Sequence, residues 1–338
     1  MQSPALGGAL VLVGFLVAGC LPSYELDPDR NVGASGGSGG ASGAGGSGAA
    51  GGAGTAGGSG AAGGSGAAGA GNAGGDCSGC GPLETCWKDQ LCVAVQVPIQ
   101  GGYSIDATEV TRAQYEAWLA TNPTTQNVTG QPPRCTWNLT YAPDPSCMVK
   151  ASVCQGNACG NHPQPCVDWC DAHAYCTSIG KRLCGRLGGG PNDYEDYADP
   201  SHSEWFRACS ANGANDYPYD DDYDGQACNG KDNAETGCTG SGSNNCIGTC
   251  TCTTVEVGSL PGCQSSINGY RGVYDLSGNL WEWEDSCSES LSANYDGCRL
   301  RGGAFPIFDL SLSLRCDYES NGYRGSAEAD CGIRCCGP

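Results

Sequence analysis

Twenty-six of the 338 residues are cysteine, and their spacing poses the first chemical question. Cys77 and Cys80 form a C-x-x-C pair, and Cys86 and Cys92 follow at even intervals. Four thiolates so spaced can hold zinc tetrahedrally, whereas four thiols in an oxidising compartment close two disulfides. The cysteine load of the whole chain favours bridges, because a reduced cytosol would keep so many thiols apart. Setting aside Cys20 and these four leaves 21 cysteines between Cys135 and Cys336. An odd number cannot all pair internally, so at least one thiol is expected to be free, capped or intermolecular. A second group is acidic. Asp220, Asp222 and Asp224 followed by Gly225 reproduce the front half of a D-x-D-x-D-G calcium loop, in which glycine permits the tight bend. Lys231 stands where an EF-hand would close with glutamate, which rules out a true EF-hand. The run is then either a calcium loop of another kind or a solvated acidic face.

The elements that would position such groups occupy only part of the chain. Residues 6–19 form an apolar and small-residue run of signal-sequence length, ending in Val17-Ala18-Gly19-Cys20. That ending resembles the bacterial lipobox, which predicts a signal peptide over 1–19, cleavage before Cys20 and acylation of its thiol. The basic residues usual ahead of the apolar run are absent from Met1 to Ala5. From 20 to 75 the expected lipid anchor leads into a tract of Gly, Ala and Ser, which has nothing to bury. Its 44 most repetitive residues would act as a flexible tether spanning about 35–40 Å. Residues 76–93 carry the four clustered cysteines and read as a small disulfide knot on the stalk. Residues 94–338 suffice for one folded domain. Within it, Thr111 to Ala120 has Ala113, Tyr115, Trp118 and Leu119 at helical spacing behind a Thr cap. Val167 to Gly180 repeats the arrangement with Asp168 as cap, and 203–209 reads as a third, shorter helix. Most of the rest is loop. The net charge of −20 repels phosphate backbones, so nucleic acid is not expected as a partner.

Asp106-x-x-Glu109-Val110-Thr111-x-x-x-Tyr115 resembles the opening of the formylglycine-generating enzyme, or sulfatase-modifying factor, family. Further segments follow in that family's order: His162-Pro163, Val167-x-Trp169, Ala174-Tyr175-Cys176, Gly180-Lys181-Arg182-Leu183, Ser203-Glu204-Trp205 and Tyr217-Pro218-Tyr219. Then come Asn268-Gly269-Tyr270, Gly278-Asn279-Leu280-Trp281-Glu282-Trp283, Leu300-Arg301-Gly302-Gly303 and Gly332-Ile333-Arg334-Cys335. The resemblance implies an α+β, loop-rich, C-type-lectin-like fold, here stapled by many disulfides.

It also implies sites. The family's oxidases hold copper(I) between two cysteines shortly after the Gly-Gly pair. The corresponding positions here are Ile307 and Leu312, and Cys316 lies too far along to replace either. Copper is therefore not expected. A related branch binds iron through three histidines, but His162, His173 and His202 lack the extra helical domain that supplies those ligands. Iron is not expected either, and His173 is expected on a solvated helix face. The family's calcium site falls on Asp275, Gly278, Leu280 and Glu282, whose oxygens suit Ca²⁺. A second calcium site would use Asn229 and the carbonyl of Gly230, beside Asp220, Asp222 and Asp224. Trp137, Trp281 and Tyr323 are candidate groove aromatics. The sequence thus predicts a lipid-anchored, calcium-braced binding module of the cell envelope that takes a protein or glycan ligand. The alternative is an active oxidase of the same superfamily, and the weakest reading is a structural protein crosslinked through a spare thiol.

Overall fold

The structure is a computed structural model, and it describes residues 77–125, 128, 130–150, 152–230, 232–233, 253–305 and 311–338. Cys20, Lys231, Ile307 and the cysteines at 238, 246, 250 and 252 lie outside these residues.

Among the described residues, ten strands are arranged in three groups. β1 (Glu84–Trp87) and β2 (Leu91–Ala94) form an antiparallel hairpin. β3 (Gln96–Ile99), β4 (Tyr103–Asp106), β5 (Arg182–Leu183) and the C-terminal β10 (Cys335–Gly337) form an antiparallel sheet in the order β3-β4-β10-β5. The third sheet runs β8-β7-β6-β9, from β6 (Trp281–Ser288), β7 (Gly297–Arg301), β8 (Asn321–Tyr323) and β9 (Cys331–Gly332). In it β6 and β9 pair in parallel, and a register shift falls between Trp283 and Cys287. The C-terminal residues thus enter both four-stranded sheets.

The helices begin where side-chain oxygens can satisfy their first N–H groups. α1 (Arg112–Leu119) opens on a capping box in which Thr111 and Gln114 bond reciprocally. α2 (Pro145–Met148) is a single turn capped by Asp144. α3 (Trp169–Ser178) opens on the equivalent pair Asp168 and Asp171, and Gly180 follows it at φ +74°. α4 (Glu204–Cys209) is capped by Ser203. α3 is buried on more than one face. His173 does not face solvent as its sequence position suggested; it stacks on Trp169 with centroids 5.1 Å apart. Among the described residues no helix is long and apolar enough to cross a membrane.

Ten disulfides join twenty of the described cysteines. The four clustered cysteines pair as Cys77–Cys86 and Cys80–Cys92, which answers the zinc question in favour of bridges. Their hairpin does not stand clear of the domain. Trp87 and Leu91 pack against the main core, and Gln114 Nε2 donates to Glu84 Oε1 at 2.8 Å. Gly180 leaves room for that indole: a Cβ there would sit 2.3 Å from Trp87. The vicinal pair Cys335 and Cys336 ties β10 to α3 through Cys176 and to Cys184 beyond β5. The buried Cys331 thiol donates to Asp330 Oδ1 at 3.7 Å.

Candidate metal centre

The segment from Asp275 to Glu282 folds as a tight turn running into β6. Asp275, Gly278 and Asn279 all adopt positive φ, at 62°, 76° and 60°. Gly278 is required by contact as well as by conformation, since a Cβ there would lie 2.3 Å from the carbonyl oxygen of Asn229. Asn279 is the hub. Its backbone N–H donates to Asn229 O (2.9 Å), and its Oδ1 accepts from Asn229 Nδ2 (3.0 Å) and Val255 N (3.0 Å). Its Nδ2 donates to Glu109 Oε2 at 2.7 Å, while Leu280 N donates to Glu109 Oε1 at 2.9 Å. Glu109 therefore grips the turn from the opening motif, 170 residues earlier in the chain.

Below the turn lies a buried ion pair. Arg334 Nε donates to both oxygens of Glu282, at 2.8 and 2.9 Å, and Trp205 Nε1 donates to Glu282 Oε2 at 2.6 Å. The remaining Arg334 nitrogens donate to the carbonyls of Asp106 (2.8 Å) and Tyr274 (2.7 Å). Asp275 Oδ2 accepts from Gly258 N at 2.7 Å. Three carboxylates thus share one guanidinium in a volume closed to solvent. Burial first, and then the facing Asp275 and Glu282 carboxylates, push Glu109 well above the usual carboxylate range. Burial likewise pushes Asp275 up to about 6, against the lowering influence of the Gly258 N–H and Arg334.

This surplus of negative charge fits a hard cation. Asp275 Oδ1 and Asn229 Oδ1 are both buried and both without a hydrogen-bond donor. Oxygens in that state suit Ca²⁺. Glu282 can contribute only by sharing an oxygen that already accepts N–H groups, which the lone-pair capacity of a carboxylate allows. The structure thus joins Asn229, from the expected second calcium set, to the 275–282 turn. Gly230, the next residue, lies at the same turn, with its N–H 3.4 Å from where a Gly278 Cβ would sit, but the three aspartates of that set stay apart from it. Asp220, Asp222 and Asp224 are exposed, with Asp220 Oδ1 accepting from Asp221 N and Asp224 Oδ1 from Gln226 N. Among the described residues, the set of three metal-ligating side chains with ligand atoms within 4.8 Å of one another is Cys80, Glu84 and Cys92, whose sulfurs form a disulfide. A cation at the turn would accordingly need the main-chain oxygens of Gly278 and Leu280 as well as the side chains. Millimolar Ca²⁺ is expected to raise the melting temperature by several degrees and EDTA to reverse this, with Asp275→Ala abolishing the response; a calcium-independent melt would exclude the site.

The sequence motifs did not point to Trp205 or Arg334 as members of this centre, although both lie in segments that carry the family resemblance. For Arg334 the signal was chemical: an invariably charged side chain in an apolar C-terminal strand region needs a buried counter-charge. Of the other candidates, Leu312 is 47 % exposed in a short 3-10 turn over Ser311–Leu314. Cys316 is bridged to Cys209. His162 Nδ1 pairs with Thr254 Oγ1 (2.9 Å), and His202 Nδ1 lies 3.0 Å from Asp196 Oδ2, so the three histidines serve separate local roles. Trp281 is buried, whereas Trp137 is half-buried and Tyr323 is 47 % exposed, edge-on to Tyr295.

A family model described as "Sulfatase-modifying factor enzyme 1-like domain" matches residues 67–337. The chain belongs to this family. Solved structures similar to this sulfatase-modifying factor domain include CarF, at 19% identity and a TM-score of 0.42, covering 73% of this chain and 94% of that one. PvdO from Pseudomonas aeruginosa is 18% identical with a TM-score of 0.43, covering 71% and 82%. Treponema denticola variable protein 1 is 17% identical with a TM-score of 0.39, covering 73% and 86%. No curated protein matches the chain. The family match includes the four-cysteine hairpin, consistent with its packing on the core.

Proposed function

We propose that this sulfatase-modifying factor domain is a binding module rather than a copper oxidase, held at a bacterial membrane by a lipid on Cys20 and braced by calcium at the Asp275–Glu282 turn. The observation that carries the reading is the Cys209–Cys316 disulfide. The resemblance places the copper-binding thiols at Ile307 and Leu312, neither of which is cysteine, and Cys316 is the next cysteine after the Gly302-Gly303 pair. With Cys316 bridged to Cys209, it cannot supply a thiolate to a displaced pair. Copper(I) needs two soft thiolates, and a disulfide provides none. The calcium part rests on the buried donor-free oxygens of Asp275 and Asn229.

The test is to alkylate the unfolded but unreduced protein, map its free thiols by mass spectrometry, and titrate the native protein with copper(I). The module reading expects Cys209 and Cys316 to resist alkylation and no copper to bind stoichiometrically. One tightly bound copper per chain with oxygen consumption would restore the oxidase. The anchor is checked separately: Cys20→Ser should move the protein from the membrane fraction to the soluble one, and an unchanged distribution would remove the lipid from the account.

A further inference from the structure

Trp169 opens α3, and its surroundings hold more hydrogen-bonding capacity than the fold uses. Its backbone N–H donates to Arg324 O at 3.2 Å and its indole Nε1 to Glu284 O at 2.9 Å. These bonds bring Arg324 and the 284–285 stretch of β6 to one indole. The Arg324 guanidinium lies 4.2 Å from the ring centroid, and the His173 imidazole stacks on the same side chain. Arg324 is 5 % exposed; its Nε donates to Asp296 Oδ2 at 3.0 Å, while its Nη groups make no hydrogen bond among the described residues. Burial pushes the Asp285 carboxyl up to about 6 against the lowering influence of Arg324 and Arg182, and it forms an ion pair with neither among the described residues. Asn192 donates its backbone N–H to Asp285 O at 2.7 Å, and its amide is 4 % exposed with both Oδ1 and Nδ2 unpartnered. His173 Nδ1 is buried and unpartnered as well. Burial, and then Arg324, lower that imidazole to about 4, so it is neutral at physiological pH.

The Asn192 amide and His173 Nδ1 are buried polar groups without partners, each costing about 1–3 kcal/mol, and with the charged Arg324 and Asp285 beside them they point to a guest that completes them. We propose that this cluster is a recognition site for a zwitterionic small molecule of the α-amino acid type, with its carboxylate on the Nη edge of Arg324, its ammonium on the Asp285 carboxylate and the Asn192 amide beside them. A guanidinium with its terminal N–H groups unused matches a carboxylate in two parallel bonds. A carboxylate with no cation in contact matches an ammonium. A simple anion would meet repulsion from Asp285 and a simple cation repulsion from Arg324, so a ligand bearing both charges is selected over either. The neutral His173 adds no charge against the ammonium.

The site extends the binding-module reading without depending on its calcium or thiol arguments. The full chain in detergent is titrated calorimetrically with glycine, L-alanine, L-serine, L-glutamate, L-lysine and L-phenylalanine, and the tightest binder is then compared with its amide and its N-acetyl derivative. At least one amino acid should bind with a Kd below about 1 mM, with both derivatives weaker by about tenfold or more. Asp285→Asn, which preserves shape, should weaken binding by about tenfold or more at unchanged melting temperature. Asn192→Ala serves as the second variant if Asp285→Asn fails to fold, with a weakening of the same sense expected. The proposal is overturned if none of the six binds at about 10 mM, leaving the groups to water, or if the blocked derivatives bind as well as the parent. It is equally overturned if a folded variant keeps wild-type affinity. None of these failures alters the copper titration or the thiol map.

Discussion

Removing the Cys176–Cys335 and Cys184–Cys336 bridges together, with alanine at all four positions, is expected to cost about 6 kcal/mol of stability, against about 2 kcal/mol for Cys154 and Cys159. The first two bridges span 159 and 152 residues, and either alone would keep the other's loop nearly closed, whereas the third spans only 5. In the chain-entropy account a crosslink stabilises by shrinking the unfolded ensemble, and the effect grows with the logarithm of the loop it closes. The two long bridges also fix β10 between β4 and β5. Urea unfolding midpoints of the two variants, both kept oxidised, measure the difference. Equal losses would show that loop closure is not what these bridges contribute, and that local packing of the sulfurs is. The same argument explains how a chain with so much irregular backbone remains folded: its loops are closed covalently instead of by regular pairing.

Arg334→Ala is the point substitution with the largest expected effect, about 3–5 kcal/mol. It strips Glu282 of its cation inside a volume that also contains Glu109 and Asp275, and it leaves the carbonyls of Asp106 and Tyr274 without their donors. An unpaired buried carboxylate must either stay ionised at high cost or take up a proton. For a domain of this size the loss corresponds to a fall of roughly 10 °C in melting temperature. The double variant Arg334→Met/Glu282→Gln should recover part of it, because removing both charges leaves less unpaired than removing one. A single variant that melts within about 2 °C of the parent would mean that the cluster is hydrated or metal-filled and the ion pair is not what supports it. Calcium sharpens the comparison: a cation at the turn would partly compensate for the lost guanidinium, so the deficit should be smaller in calcium than in EDTA.

Local signals in the chain were reliable guides to local structure. Thr111 and Asp168 cap the helices they were expected to cap, and Ser203, read as the first residue of its helix, caps it, because an N-cap is decided by a few residues and their own backbone. The segments carrying the family resemblance became the turns and strands of one domain, and the four clustered cysteines closed as two bridges. Burial was less legible. His173 reads as a surface residue on a helical wheel, but a loop carrying Arg324 and a strand carrying Glu284 cover that side of α3. Trp281 and Tyr323 look alike as candidate surface aromatics, yet one is in the core and the other on the rim.

What the sequence determined by itself is therefore whatever depends on short range or on composition: an acidic, cysteine-rich chain, its helix caps and its family. The tertiary structure alone decided which distant groups meet. Disulfide partners lie as far as 159 residues apart, and Glu109, Asn229, Asn279, Glu282 and Arg334 are gathered from four separate stretches. No local pattern encodes such encounters. They follow from the closing of the chain into two sheets that share its C-terminal residues, and from the requirement that charges removed from water find one another.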